Sequence, residues 1–489
     1  MFEVLVVVVV LVLIYYNVQC QKHKAKYKAF YDLPTPLYIP LIGNTWKMLG
    51  TNILNAINDF FKDFGNSTVA YIPHRTYFTS RYEELKILLQ HPNVLEKSLE
   101  YNHLKAIFGN SLLLAPVPIW KKHRKLISRS FKQSILDSFT PIFYEKSCTL
   151  IKILKEKKYD ENDIYHLFEK FTLDTFCEAT LGIESTILTD VKEHEFVTGI
   201  TLIQKKAFER IGNIIKMNDF LFSLCHDGKI FYKQMKILCN YIEKIMHKKK
   251  ILIEEHNEAL LNTNTLPVLD LLLQNEEKEN LTDNYIKEEM ILFAGAATDT
   301  TAYTLAYTCC LLAMHPEAQE KVYQEVMSLV GREGEITNMT LNDLKYTEMA
   351  INEAQRLLPV VPIIARQATA DIELPDKVIP ANSGIIMNFM DLHRNKDIYP
   401  DPMRYDPDRF LPEEVAKRPQ FSFLPFSGGP RNCIGLKYAT MVLKSSLANI
   451  VRNFKISTIY TSIHDLKLES SIVMTTAHPL DCHFTFRTI

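Results

Sequence analysis

The chain is expected to fold as a mainly α-helical protein with a small β portion, preceded by one N-terminal segment able to cross a membrane. Three observations lead there. Through the middle of the chain, apolar residues recur at three- and four-residue spacing, the period of a helix face. Segments with strand-like alternation are few and short. At the N-terminus, Val4–Ile14 (VLVVVVVLVLI) is an unbroken apolar run. With 489 residues, 47% hydrophobic and 23% charged, the chain can bury a large core. No Gly/Ser- or Pro-rich linker divides it mid-chain and it shows no internal repeat, so residues 45–489 are expected to form one large unit.

The N-terminal stretch Phe2 to Cys20 is nearly long enough to span a bilayer. Lys22, Lys24, Lys26 and Lys28 follow it and only Glu3 precedes it. A cleaved signal peptide carries its positive charge on the other side of the apolar segment. The order found here keeps the body cytosolic by the positive-inside rule. Residues 1–21 are therefore expected to be an anchor, with 22–44 a basic, proline-rich connector. Pro34, Pro36 and Pro40 in LPTPLYIPLIGN (Leu33–Asn44) block helix and stiffen that connector.

Downstream, Ile135–Lys158, Glu161–Leu181 and Leu202–Ile251 carry the helical period. Glu254–Gln274, with Asn262, Asn264 and Pro267, reads as a loop. A long helix is expected from Thr282 or Asp283, either a good N-cap, to Met314 before Pro316. Val69–Thr79, Ala368–Leu374, Gly384–Asn388 and Cys482–Arg487 are the strand candidates.

Composition excludes some functions. A formal net charge of −1 gives no reason to expect nucleic acid, and the cluster His247–Lys250 (HKKK) reads as a solvated face. The nine cysteines are odd in number, scattered and without a CxxC pair, which suggests neither a disulfide framework nor a zinc site. A reducing compartment follows.

Several short stretches could carry chemistry. Phe426–Gly435 reads FSGGPRNCIG, placing Cys433 two residues after Arg431 amid glycines. Within the long helix lies FAGAATDTT (Phe293–Thr301), whose small residues leave room beside the helix ahead of Asp299 and Thr300. A threonine there is often only bonded back to its own helix. Glu353 and Arg356 (EAQR) share a helix face, and Arg409 of PDRF (Pro407–Phe410) could complete a buried Glu–Arg–Arg network. Trp120 and Arg124 (WKKHR) lie one turn apart, and Arg366 follows the stiff Leu358–Pro362 (LPVVP). Each has a bland explanation alone; the order and spacing together do not.

FSGGPRNCIG fits Phe-x-x-Gly-x-Arg-x-Cys-x-Gly at every specified position and so resembles the heme-binding loop of the cytochrome P-450 superfamily of heme-thiolate monooxygenases. The helix stretch, the Glu-x-x-Arg pair, PDRF and Trp120 with Arg124 fall in that family's order, over Leu33 to the C-terminus. The closing GPRNCIG, followed by LKYA, is most similar to the family-four clan of animal microsomal enzymes.

The resemblance implies the cytochrome P-450 fold and a reaction that inserts one oxygen atom from O2 into a lipophilic substrate such as a fatty acid, terpenoid, hormone or xenobiotic. It implies heme b, with Cys433 as the metal ligand and Trp120, Arg124, Arg366, Phe426, Arg431 and Gly435 binding the cofactor. Gly428, Gly429 and Gly435 would let the backbone approach the ring and take positive φ. Asp299 and Thr300 would be catalytic, delivering protons during oxygen activation. Electrons would come from NADPH through a flavoprotein NADPH-cytochrome reductase, with cytochrome b5 a further partner. The implied location is the endoplasmic reticulum membrane, with a single N-terminal anchor and the catalytic domain on the cytosolic side. Lys121, Lys122 and Lys125 could receive an acidic partner or form an ordinary solvated face.

The sequence departs from the family at two points. Ala296 stands where the family-four clan often has a glutamate able to esterify heme, so heme is expected to be held non-covalently. Ala297 stands at the usual glycine, and nearby Gly295 could supply the helix distortion instead. A heme-thiolate isomerase or dehydratase of peroxides and a non-enzymatic heme sensor are the alternatives; the Asp299–Thr300 pair argues against both. Tyr101–Pro118, Thr198–Leu221, Val360–Ala365 and Met474–His478 are the stretches expected to face substrate, and Phe108, Ile200, Phe208 and Phe220 within them favour an apolar ligand.

Overall fold

The computed structural model describes residues 15, 17–39, 42–48, 53–72, 74–159, 163–190, 195–210, 216, 218–255 and 265–488. The expected membrane anchor, residues 1–21, lies largely outside the described residues. Among the described residues, no helix is long and apolar enough to cross a membrane. The chain is mainly helical, as expected, with a small sheet portion. It divides into two compact units: residues up to 99 with 364–388, and residues 100–363 with 389–489.

The smaller unit contains helices α1 (Ile53–Phe64) and α2 (Tyr82–Gln90), and strands β1 (Ser67–Tyr71), β2 (Arg75–Thr79), β3 (Glu96–Lys97), β4 (Ile363–Gln367), β5 (Ile372–Glu373), β6 (Val378–Ile379) and β7 (Gly384–Asn388). Its main sheet has the order β1-β2-β7-β4-β3. The expected strand Val69–Thr79 is a hairpin, with Tyr71 opposite Arg75. β7 lies parallel to β2, pairing Gly384 with Thr76. The strand expected at Ala368–Leu374 falls earlier, at β4, with only the short β5 inside the expected span. Phe60 of α1 stacks on Phe78 of β2 with ring centres 5.0 Å apart, joining helix to sheet. Under α2, the buried Glu84 accepts hydrogen bonds from the Tyr77 hydroxyl and from Lys377 Nζ at 2.8 Å, so the charge is buried with its partner.

The larger unit is built from helices α3 (Val117–Ile127), α4 (Thr140–Glu156), α5 (Ile164–Phe176), α6 (Glu195–Phe208), α7 (His226–Glu255), α8 (Asp283–Met314), α9 (Pro316–Val330), α10 (Lys345–Leu357) and α11 (Leu436–Asn453). Two small antiparallel pairs join them: β8 (Phe454–Ser457) with β11 (His483–Phe486), and β9 (Leu468–Ser470) with β10 (Met474–Thr476). The α8 boundaries fall where its caps predict. Thr282 accepts a hydrogen bond from the Tyr285 N–H, and Pro316 opens the next helix. At 1.5 Å per residue α8 is about 48 Å long, and α5, α10 and α11 pack along it.

Three helical expectations need correction. Ile135–Lys158 breaks at Phe139, because Pro141 has no N–H to give and starts a new helix. Leu202–Ile251 is interrupted: α6 ends at Phe208 and α7 begins at His226, with a short helix Asp219–Leu224 between. The loop expected at Glu254–Gln274 contains the helix Val268–Gln274, which starts after Pro267 and is too short to show a period; residues 256–264 lie outside the described residues. Burial of Val268, Leu269 and Leu271–Leu273 stabilises it, while Lys249 pairs with Asp270 at 3.0 Å.

Residues 393–431, between the short helix Phe389–His393 and α11, have little regular structure, and α10 supplies their partners. Arg356 donates to both Glu353 oxygens, at 2.7 and 2.8 Å, and to the carbonyls of His393, Pro402 and Arg404. Glu353 Oε1 also accepts the Asp406 N–H at 2.9 Å and pairs with Arg409 at 3.5 Å. The expected Glu–Arg–Arg network is formed. His393, held neutral because burial and then Arg356 push its pKa down to about 3, accepts the Leu424 N–H at 2.8 Å through Nε2. Arg356→Met should leave Glu353 buried without its main partner, beside three uncovered carbonyls. We expect a loss of about 3–5 kcal/mol, measured by urea denaturation.

Candidate active site

The loop ahead of α11 presents Cys433. Its N–H donates to the Phe426 carbonyl at 3.0 Å, closing the loop on itself. Its side chain is solvent-accessible although protein surrounds it. Burial raises the thiol pKa, while the Gly435 N–H donating to sulfur and the Arg124 charge lower it. The backbone does not match the glycine expectation everywhere. Gly429 has φ +70°, but Gly435 caps α11 with φ −86° and Gly428 is not in the positive region. Instead Ser427 takes φ +60°. Gly428 is required by space, since a Cβ there would lie 2.9 Å from Phe421 Cε1.

Three of the expected cofactor-binding side chains gather beside this loop. The Arg431 guanidinium lies over the Trp120 ring, 4.7 Å from its centre, and donates through Nη2 to the Ala115 carbonyl. Arg124, one turn beyond Trp120 on α3, donates to the Asn432 carbonyl at 3.1 Å and to Asn432 Oδ1 at 2.9 Å. Phe426 is half-buried beside them. Arg366 is buried on β4 in the smaller unit, with Nη1 donating to the Ala365 carbonyl at 3.3 Å. A recessed thiol with guanidinium groups close by is a donor set that suits a heme: the sulfur for iron, the cations for propionate carboxylates.

On α8, Asp299 and Thr300 are neighbours in sequence that point different ways. The buried Asp299 carboxylate accepts the Tyr165 hydroxyl at 3.2 Å, toward α5. Thr300 donates to the Ala296 carbonyl at 2.7 Å and is half-exposed, as is the Ala296 side of the helix. So Thr300 makes the bond back to its own helix, yet its oxygen keeps lone pairs facing open space. Gly295 does not distort the helix, which runs unbroken through this stretch. A Cβ at Gly295 would lie 2.4 Å from Gln204 Nε2, so this glycine admits α6. Asp299 is pushed up to about 8, chiefly by burial and then by the Glu169 carboxylate, with the Tyr165 hydroxyl opposing.

Sequence reasoning missed Tyr165, Glu169 and Asn432. The first two lie on a helix over 130 residues away in the chain, and no local spacing marks them. Asn432, beside Cys433, was visible but carried no signal without the partner Arg124.

The cytochrome P-450 family model matches residues 33–483. The chain is 29% identical to cytochrome P-450 4c21 of Blattella germanica, over 97% of this chain and 96% of that protein. It is 31% identical to probable cytochrome P-450 4ac2 of Drosophila melanogaster, over 82% and 78% of the two chains. Cytochrome P-450 4d1 of Drosophila simulans is 27% identical over 94% of each. The chain belongs to the cytochrome P-450 family, and these relatives carry family-four names, as the GPRNCIG loop suggested. It is a heme-thiolate oxidoreductase of the monooxygenase class, a class that draws electrons from a redox partner and acts on small molecules.

Proposed function

We propose that this monooxygenase inserts one oxygen atom from O2 into a lipophilic small molecule, a fatty acid, terpenoid, hormone or xenobiotic. The electrons come from NADPH through NADPH-cytochrome reductase, with cytochrome b5 as a further donor. The reading rests first on Cys433, a recessed sulfur carrying the Gly435 N–H and facing Arg124. Cys433 would hold the iron of a non-covalent heme b. When bound, the heme supplies the iron that activates oxygen, made more reactive by thiolate donation. Cys433 would serve as the thiolate, the form that the Gly435 N–H and the Arg124 charge favour against burial. The Gly435 hydrogen bond tempers the sulfur's basicity. Arg431 and Arg124, with Trp120, would hold the propionates. Phe426 would pack against the ring, and Ala296 leaves no carboxylate for an ester bond.

Asp299 and Thr300 manage protons. A carboxyl titrating at about 8 is neutral at cytosolic pH and has a proton to give; above that pH it is charged and has none. Thr300, whose own proton is engaged with Ala296, accepts from a water and holds it beside the helix. Exposed Lys121 and Lys125 on α3 are free to meet an acidic reductase surface, whereas Lys122 pairs with Glu279 at 3.4 Å. Residues 1–21 anchor the chain in the endoplasmic reticulum membrane and 22–44 connect to residues 45–489 on the cytosolic side, as the charge order around the apolar run supports.

Cys433→Ala should abolish the red-shifted Soret band of the reduced, carbon-monoxide-bound protein; an unchanged band would refute the ligand assignment. Thr300→Ala should bind substrate and accept electrons normally but release more hydrogen peroxide per NADPH. Its product should fall toward the low end of the 10²–10⁴-fold range for positioned proton transfer, with Thr301→Ala as the control. Deleting residues 1–21 should move much of the protein from the membrane fraction to the supernatant with heme content intact; loss of heme would place that segment in the core.

A further inference from the structure

The side of α8 that faces α5 carries a second set of titratable groups, reached from Asp299 and not from Thr300. The Thr172 hydroxyl donates to the Thr298 carbonyl at 3.1 Å, fixing the two helices at this level. Tyr165 holds Asp299 Oδ1 and stacks on Tyr303 with ring centres 3.9 Å apart. One turn beyond Tyr165, Glu169 is only 3% exposed. Both Glu169 oxygens have donors: Thr201 Oγ1 on Oε1, and His166 Nδ1 on Oε2 at 3.0 Å. The His166 side chain is 40% exposed. Thus a solvent-facing imidazole touches a buried carboxylate, which acts on a second buried carboxyl close enough to perturb it.

Two carboxyl groups in one low-dielectric site resist ionising together. The groups acting on Asp299 oppose one another. Burial and the Glu169 charge favour its neutral form, and the Tyr165 hydroxyl favours its charged form. Tyr303, on which Asp299, Glu169 and Asp163 all act, is the further titratable group here, and neither it nor Asp163 is a cation.

We propose that Glu169 and Tyr165 set the proton affinity of Asp299, and that His166 is where this buried site exchanges protons with solvent. The inference rests on Asp299 being the proton donor of the monooxygenase reaction. Only O–H and N–H bonds change: solvent gives a proton to His166 Nε2 as its Nδ1 proton passes to Glu169 Oε2, and the Glu169 proton then passes to the charged Asp299, which becomes neutral again as Glu169 returns to its charged form. Tyr165 and Glu169 are positioning residues that act through Asp299.

The test is an infrared pH titration of the resting, full-length enzyme, following the carboxyl band that Asp299→Asn removes. Glu169→Gln should lower the midpoint by about one pH unit, and Tyr165→Phe should raise it. Such opposed shifts are not what a loss of packing would produce. Thr201→Val, which weakens the Glu169 charge but keeps every carboxyl, should lower the midpoint by less and serves if Glu169→Gln fails to fold. His166→Ala should raise peroxide released per NADPH. Unmoved midpoints, or shifts of the same sign in Glu169→Gln and Tyr165→Phe, would overturn the proposal, and unchanged coupling in His166→Ala would remove that residue from the route. If Asp299→Asn itself leaves coupling unchanged, the role given to Asp299 fails first; if it uncouples while the α5 variants do not shift the midpoint, only the present inference fails.

Discussion

Arg356 and Glu353 are both fully buried, and their ion pair is the interaction on which the larger unit's irregular half depends. A guanidinium has five N–H donors, and here all five find acceptors: two on Glu353 and three on the carbonyls of His393, Pro402 and Arg404. A lysine could satisfy three at most and could not reach in two directions from one plane. Those carbonyls lie at the last residue of a short helix and in the irregular backbone that follows it. Arg356 therefore takes the place of secondary structure for the chain that leads to Cys433, and Arg409 adds a second cation to the same carboxylate. A buried pair of this kind adds little net stability over an apolar pair. What it provides is one arrangement of the segment in place of many.

From that base the thiol loop is held by short-range bonds. Tyr399 donates to the Ser422 carbonyl at 3.1 Å and His393 accepts from Leu424, so the chain arrives at Phe426 already placed. The Cys433 to Phe426 bond then closes the loop, and α11 begins at once at Leu436, directing the Gly435 N–H onto sulfur. Ser427 sits in the left-handed region at a cost of about 1 kcal/mol or more. The surrounding bonds impose that conformation.

The long helix α8 serves two purposes because of its period. Successive side chains turn by about 100°, so Asp299 and Thr300 cannot face the same way. The first enters the interface with α5, where burial keeps it protonated; the second stays at the open side with Ala296. A buried carboxyl and an open-side hydroxyl thus sit on adjacent residues, and the packing of α5 against α8 sets the surroundings of the first.

Much was legible in the chain alone, because local rules decide it. Caps and a following proline bounded α8, the hydrophobic period marked most helices, and FSGGPRNCIG announced the thiol and its neighbouring arginine. Glu353 and Arg356 could be paired from their spacing, since residues three apart share a helix face whatever surrounds them. Other features depended on partners far away in sequence. Whether Gly295 bends a helix or admits Gln204, whether Ser427 or Gly435 takes the positive φ, and that Val268–Gln274 is helical were decided by packing. The same holds for Asp299: its residue type and position are written in the sequence, but its raised proton affinity comes from burial against α5 and from the Glu169 charge, and only the tertiary structure brings that helix against it.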